Sequence, residues 1–233
     1  MINSGLKKIP KRYCSSKVVY IDDWYETIAK PIDFYEKFAN GTPRRYFYNI
    51  DLQGRLFLEE TFPKNIATSI KDTKFLNFFF SRIRKASGKD LYFLQEQDVQ
   101  DDYPYVSKCG VETNFIRPAA TPIVFHSMVK DTLFYGGNLN VPFESERLTV
   151  SKNSGKFYYR IPSPDQSVKK GMEYGLICTS VGVSLSTKIS VQENSDQKYL
   201  YDNIFEIDWL PSHCEPGKWA MPEEDWEEEK LEI

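Results

Sequence analysis

Histidine and cysteine are scarce in this 233-residue sequence. His126 and His213 are the only histidines, so a metal site would have to lean on carboxylates, and nothing is spaced for one; no structural metal is expected. Cys14, Cys109, Cys178 and Cys214 are scattered without a CxxC pair, which argues against a disulfide framework or a zinc knuckle and makes a reducing compartment the default. No apolar run approaches the roughly 20 residues needed to cross a bilayer, so no membrane span is expected. Phosphate-cradling glycine loops are absent, with neither GxGxxG nor GxxxxGKS/T present, and no motif points to a cofactor. SVGVS, from Ser180 to Ser184, lacks the flanking glycines of a GxSxG nucleophile turn, which leaves Ser-His-Asp catalysis unsupported.

A surplus of positive charge is also missing, because the charges are segregated. Residues 1–21 hold Lys7, Lys8, Lys11, Arg12 and Lys17 with no acid, while residues 222–233 hold seven acids and Lys230. With +5 at one end and −6 at the other, the formal total of −3 leaves −2 for the body. That body lacks the basic excess that binding duplex nucleic acid needs. The N-terminal stretch is basic, acid-free and serine-containing, with RYCSS resembling a matrix-processing site near Cys14 and Ser15. It reads as a mitochondrial transit peptide, although Gly5 and Pro10 interrupt an amphipathic helix there. The acidic tail reads as a solvated end.

With 41% hydrophobic and 15% aromatic residues, the chain can bury one sizeable core. Pro31 and Asn40-Gly41 bracket a short helix over 32–39. Arg45–Ile50 and Arg55–Glu59 flank Asp51-Leu52-Gln53-Gly54, which fits a type I turn closed by a left-handed glycine and therefore a hairpin. Thr61 before Phe62-Pro63 can cap a helix, and Asp72 can cap the next. In that second helix Phe75, Leu76, Phe79, Phe80 and Ile83 follow a helical period, so it should pack on the hairpin and run to Ser87-Gly88. Farther on, TPIVFHSM and TLFYGGNLNVPF read as adjacent strands turning at Lys130-Asp131, and KFYYRIP as another. GLICTSVGVSLSTKISV, rich in β-branched residues, also reads as strand, and Asp202-Asn203 as a two-residue hairpin turn. The fold class expected is α+β: a mostly antiparallel β-sheet with one prominent amphipathic helix packed on it.

Candidate chemistry concentrates in CGVETNFIR. In a strand, Glu112 and Asn114 share a face with Phe115 anchoring the other, and a carboxylate beside an amide can read hydroxyl or amide groups. Arg117 just beyond can hold an anion. Cys109 with His126 can form a thiolate and its base, although nothing local lowers the thiol pKa, and a structural cysteine is the simpler reading. Gly136-Gly137 marks a tight turn, a bulge or backbone left open to a ligand. The adjacent Glu59 and Glu60 read as solvated charge. Tyr46-Phe47-Tyr48 invites RNA stacking, but RRYFYNI lacks the glycines of an RRM signature, and core packing is the stronger reading.

YFYNIDLQGRLFLEE, KDTKFLNFFFSRIR, YPYVSKCGVETNFIR, PIVFH, LFYGGNLNVPFESERL and KFYY, taken in order, resemble uncharacterised protein family 0598, also described as domain of unknown function 4505. The resemblance is strong over residues 44–160 and looser to about 210. It is carried by Tyr46, Phe47, Tyr48, Asp51, Gly54, Leu56 and Leu58, by Cys109, Gly110, Glu112, Asn114, Phe115 and Arg117, and by Tyr135, Gly136, Gly137, Pro142 and Phe143. The long lead before Arg44, the polar insert from Gln95 to Asp102 and the acidic tail depart from it. The resemblance implies a mitochondrial-type member and no assigned reaction.

The organisation expected is a transit peptide or basic arm over 1–21, a helical extension over 22–43, one α+β domain over 44–211 and an acidic tail over 212–233. The function expected is that of a mitochondrial matrix protein binding a small metabolite or a mitochondrial protein partner. The binding residues expected are Glu112, Asn114, Arg117, Gly136, Gly137, His126 and Cys109. An enzyme acting on a small polar or anionic metabolite, or an RNA- or ribosome-associated factor, is the alternative.

Overall fold

The computed structural model describes residues 18–21, 24–27, 32–40, 44–92, 102–162, 172–192 and 198–214. The proposed cleavage site, the insert up to Asp101 and the acidic tail from residue 215 lie outside them. β1 (Val18–Ile21) and β2 (Trp24–Thr27) form an antiparallel ribbon, so strand precedes helix in the N-terminal extension. Then come α1 (Ile32–Ala39), β3 (Arg45–Ile50), β4 (Leu56–Leu58), α2 (Thr73–Ser81), β5 (Ile83–Lys85), the one-turn α3 (Gly88–Leu91), β6 (Tyr105–Cys109) and β7 (Glu112–Pro118). The second half contributes β8 (Val124–Phe125), β9 (Ser127–Val129), β10 (Thr132–Tyr135), β11 (Leu139–Pro142), β12 (Leu148–Val150), β13 (Phe157–Arg160) and β14 (Tyr174–Ile177). α4 (Thr179–Ser186), β15 (Ile189–Gln192), β16 (Lys198–Tyr201) and β17 (Phe205–Trp209) complete it, with a 3-10 turn at Ser212–Cys214.

The strands build a five-stranded sheet ordered β4-β3-β7-β6-β5, a seven-stranded sheet ordered β15-β16-β17-β12-β13-β14-β8, and a small β11-β10-β9 meander. Most pairings are antiparallel; β3–β7, β12–β17 and β14–β8 are parallel. The fold is therefore mostly β. α1, α2 and α4 are eight or nine residues long, so the expectation of one prominent helix gives way to three comparable ones among the described residues.

The hairpin forms for the reason its sequence suggests. Asp51 Oδ1 accepts the N–H groups of Gln53 and Arg55, and Gly54 at φ +80° donates to the Asp51 carbonyl. This Asx-stabilised type I turn with a left-handed glycine sets the register Ile50 to Leu56 and Tyr48 to Leu58. Because side chains alternate, Tyr48 and Ile50 enter the main core, where Phe79 of α2 lies 5.0 Å from the Tyr48 ring, centroid to centroid. Phe47 points the other way, into a second apolar cluster with Tyr35, Phe38, Tyr103, Val106 and Phe115. The five-stranded sheet thus separates two cores.

Several local readings change. Asp72 caps α2, its side chain accepting the Phe75 N–H at 2.6 Å, but the helix stops at Ser81. The Arg82 N–H closes onto the Phe79 and Phe80 carbonyls, and Ile83 becomes a strand residue paired with Ser107. Burial of Ile83 in the same core explains why the apolar period runs past the helix end. No helix follows Thr61; residues 62–71 form successive turns organised by the Asn65 side chain, which accepts the N–H groups of Ala67 and Thr68. TSVGVSLS is helix rather than strand, because Val181, Gly182 and Leu185 share a helical face that is buried. Asp202 and Asn203 are left-handed as expected, but Tyr201 pairs with Phe205, making the loop three residues long. Among the described residues no helix is long and apolar enough to cross a membrane.

Candidate functional site

The residues singled out in the sequence are divided by the sheet. Cys109, Glu112 and Asn114 lie on the main-core face of the β6–β7 hairpin, where Cys109 pairs in register with Glu112 and Ser107 with Asn114. Burial, and then Cys109 and Glu112, push the Tyr48 hydroxyl pKa up. Glu112 faces solvent in part and pairs with Arg44 at 3.6 Å. Asn114 is buried, and its Oδ1 has no partner among the described residues. Cys109 is half-buried with its Sγ 3.7 Å from Ser107 Oγ.

Arg117 lies on the opposite face, away from Glu112 and Asn114. Its Nη2 meets Glu59 Oε1, and Glu59 Oε2 accepts the Tyr103 hydroxyl at 2.5 Å. Glu59 is fully buried and Arg117 is 8% exposed. The reading of Glu59 as surface charge is therefore corrected: burying a carboxylate requires a bidentate-capable cation and a hydroxyl donor, and both are present. The buried Lys64 ammonium donates to the Glu59 and Thr61 carbonyls, closing this polar knot from the loop side. Arg45 is buried as well, so of the four charges at the open end of the hairpin only Arg44 and Glu60 are exposed.

The glycine pair does packing work. Gly136 has φ +62°, and a Cβ there would lie 3.1 Å from the Phe80 side chain. At Gly137 a Cβ would meet the Thr73 carbonyl at 2.7 Å and Asn77 Oδ1 at 2.8 Å, so the β10–β11 turn presses its backbone onto the start of α2. Asn138 N–H completes the contact by donating to Asn77 at 2.9 Å.

One cleft of about 970 Å3 adjoins this turn, lined by Gln53, Gly54, Arg55 and Leu56 of the hairpin, by Asn65, Ile66, Ala67, Ile70 and Lys71, and by Leu76, His126 and Gly136. Ile70 N–H on the Leu56 carbonyl ties the 65–71 loop to β4. Leu56, Ile70 and Leu76 make its apolar floor. Arg55 and Lys71 are its cations, and no carboxylate lines it among the described residues. Arg55 Nε is held by Asp51 Oδ2 at 2.5 Å, which fixes the guanidinium at the rim. Lys71 is exposed and pairs with no carboxylate among the described residues.

His126 and Gly136 are brought together here. His126 Nε2 lies 3.2 Å from the Gly136 carbonyl, which can only accept, so the ring donates through Nε2 and leaves Nδ1 as an acceptor. Burial lowers the His126 pKa below its usual 6.5, the carbonyl bond opposing it, and the ring is neutral at pH 7. A folded-state pKa below the unfolded one means that His126 takes stability away as pH falls below about 6.5.

Residues 37–208 match the domain of unknown function DUF4505. The chain belongs to this family. A crystal structure of a DUF1285 family protein from Silicibacter pomeroyi DSS-3 is also similar, with a TM-score of 0.40 and 13% identity over 79% of this chain and 88% of that one. The DUF4505 match begins inside α1, at residue 37, and takes in every residue lining the cleft.

Within this DUF4505 chain the sequence signals for the site were uneven. His126 and Gly136 were expected and line the cleft; Cys109, Glu112, Asn114, Arg117 and Gly137 do not line it. Arg55, Lys71 and the 65–71 loop were missed, since a lone cation after a turn carries no motif. The Tyr46-Phe47-Tyr48 platform is closed by burial of Phe47 and Tyr48, which removes the stacking surface an RNA-binding sheet requires.

Proposed function

We propose that this protein binds a small anionic metabolite with an apolar segment in the hairpin cleft, and that it does so in the mitochondrial matrix. The observation that carries the binding reading is the placement of Arg55 and Lys71 over an apolar floor, with no carboxylate among the described lining residues. A volume of about 970 Å3 suits a ligand of metabolite size. Ile66, 67% exposed at the rim, offers apolar contact beside the lysine. The neutral His126 adds a hydrogen-bond acceptor. Cys109 lies outside the cleft that holds His126, so a thiol–imidazole pair has no support, and binding without covalent catalysis is the better reading.

A thermal-shift screen of carboxylates and phosphates of graded apolar chain length tests the proposal. Compounds with both parts should raise the melting temperature of the wild type, and Lys71→Glu should abolish the rise. Lys71 is the residue to change because it is exposed and pairs with no carboxylate among the described residues, whereas Arg55 also supports the Asp51 turn. Arg44→Glu, at the open end of the same hairpin and not in the cleft lining, serves as the charge control and should retain the shift. Absence of any stabilising anion, or equal shifts in Lys71→Glu, would overturn the reading.

The matrix location is supported by the acid-free basic composition of residues 1–21 and by RYCSS. N-terminal sequencing of the protein from isolated mitochondria should find a chain beginning near Cys14 or Ser15. Recovery of an intact Met1 in that fraction counts against it.

A further inference from the structure

We propose that Glu173, His213 and Cys214 form a binding site for a zinc-type divalent ion. The three are separated in sequence, Glu173 lying just before β14 and His213-Cys214 on the 3-10 turn after β17, and the fold brings one ligand atom from each within 4.8 Å of the others. The sequence expectation of no metal rested on spacing along the chain, and this site has none to see.

The donor set is what makes the cluster more than three neighbouring polar groups. A thiolate, an imidazole and a carboxylate are each zinc ligands, at about 2.3, 2.0–2.1 and 2.0–2.2 Å respectively, and three protein ligands with a fourth position left to water form a recurrent zinc arrangement. Tetrahedral bonds of those lengths hold ligand atoms about 3.5 Å apart. The present separations have to close by an ångström or so, a change that rotation of the exposed Glu173 and His213 side chains supplies without moving the backbone.

That backbone is fixed on both sides. The Glu173 carbonyl accepts the Ile161 N–H at 2.8 Å, the Cys214 N–H closes onto Pro211, and Leu210, buried, is tied to Val150. Meanwhile none of the three side chains is hydrogen-bonded or ion-paired among the described residues, so no internal contact has to break for a metal to enter. Cys214 packs against the edge of the main core, which shields the sulfur side of the site. An ion here would clip the segment that follows β17 to the start of β14. The site shares no residue with the hairpin cleft, and the two proposals stand or fall separately.

Cobalt(II) titration of the reduced, full-length protein is the test, because a thiolate–cobalt bond gives a charge-transfer band that carboxylate or imidazole ligation alone does not. One equivalent should saturate the band, and zinc should displace it, because a tetrahedral site with a thiolate ligand suits zinc. Cys214→Ser should abolish the band and Cys109→Ser should leave it. Losing an outer-shell partner of a metal ligand already weakens binding about 10–100-fold, so His213→Ala and Glu173→Gln should each do at least that much. All of these positions are at least partly accessible to solvent, and circular dichroism should show each variant folded. No band at one equivalent, a band that survives Cys214→Ser, or affinities unchanged in both His213→Ala and Glu173→Gln would overturn the site.

Discussion

Arg117→Ala is expected to lower the stability of the fold by about 3–5 kcal/mol, the usual consequence of breaking one side of a buried ion pair. The substitution takes the guanidinium away from the fully buried Glu59 carboxylate, which also accepts the Tyr103 hydroxyl. It also removes the guanidinium that reaches Asn49 Oδ1 at 3.4 Å and lies 5.5 Å from the centre of the Tyr103 ring. Burial of the carboxylate decides the size of the effect, since the attraction lost at an exposed pair would be worth only about 0–1 kcal/mol. Urea denaturation should show a lower midpoint with an unchanged slope. The double variant Arg117→Met, Glu59→Leu should recover much of the loss, because it removes both charges and refills the space with apolar atoms. If Arg117→Ala costs less than about 1 kcal/mol, the pair is not the buried contact described above, and Arg117 returns as a candidate for ligand binding. A loss of several kcal/mol, against total stabilities of about 5–15, means that Arg117 variants report on folding and cannot be used to locate a ligand.

The distance in sequence between partners separates what could be read in advance from what could not. The hairpin was legible because Asp51, Gln53, Gly54 and Arg55 complete their bonds within five residues. The Asp72 cap was legible for the same reason. Glu59 was misread because its partners are 58 and 44 residues away, and two adjacent carboxylates look like surface until those partners arrive. α4 was misread because Val181, Gly182 and Leu185 acquire a reason to share one face only when that face is covered, and tertiary burial outweighs β-propensity over eight residues. The end of α2 shows a third case. Helix and strand both deliver Ile83 to the same core, so the apolar period cannot mark where one becomes the other. The cleft is the extreme instance, assembled from a hairpin turn, a capless loop, one residue of α2 and the flank of a distant meander.

The second large effect concerns the middle ring of the Tyr46-Phe47-Tyr48 run. Phe47→Ala should cost about 3–5 kcal/mol, as truncating a buried phenylalanine does where its neighbours cannot collapse into the space. Phe47 is 1% exposed and stands at the centre of the smaller core. Its ring stacks on Phe115 at 5.4 Å, lies 4.9 Å from Tyr103, and receives the edges of Tyr35 and Phe38 at 6.0 and 5.4 Å. Tyr35 and Phe38 are buried side chains of α1, so the same ring that fills this core also seats the helix. An eight-residue helix is too short to persist by propensity alone and depends on that packing. Tyr46→Ala, one residue earlier and only half-buried, should cost nearer 1 kcal/mol. Limited proteolysis distinguishes a lost seat from a general loss of stability: in Phe47→Ala, cleavage at Lys37 should precede cleavage within the sheet. Equal losses for the two variants, or α1 protected as well as β7 in Phe47→Ala, would mean that α1 is held by something other than this cluster. Their inequality would fix the direction in which each ring of the strand points, with Phe47 committed to the α1 side and Tyr48 to α2, the alternation that lets the sheet carry a core on each face.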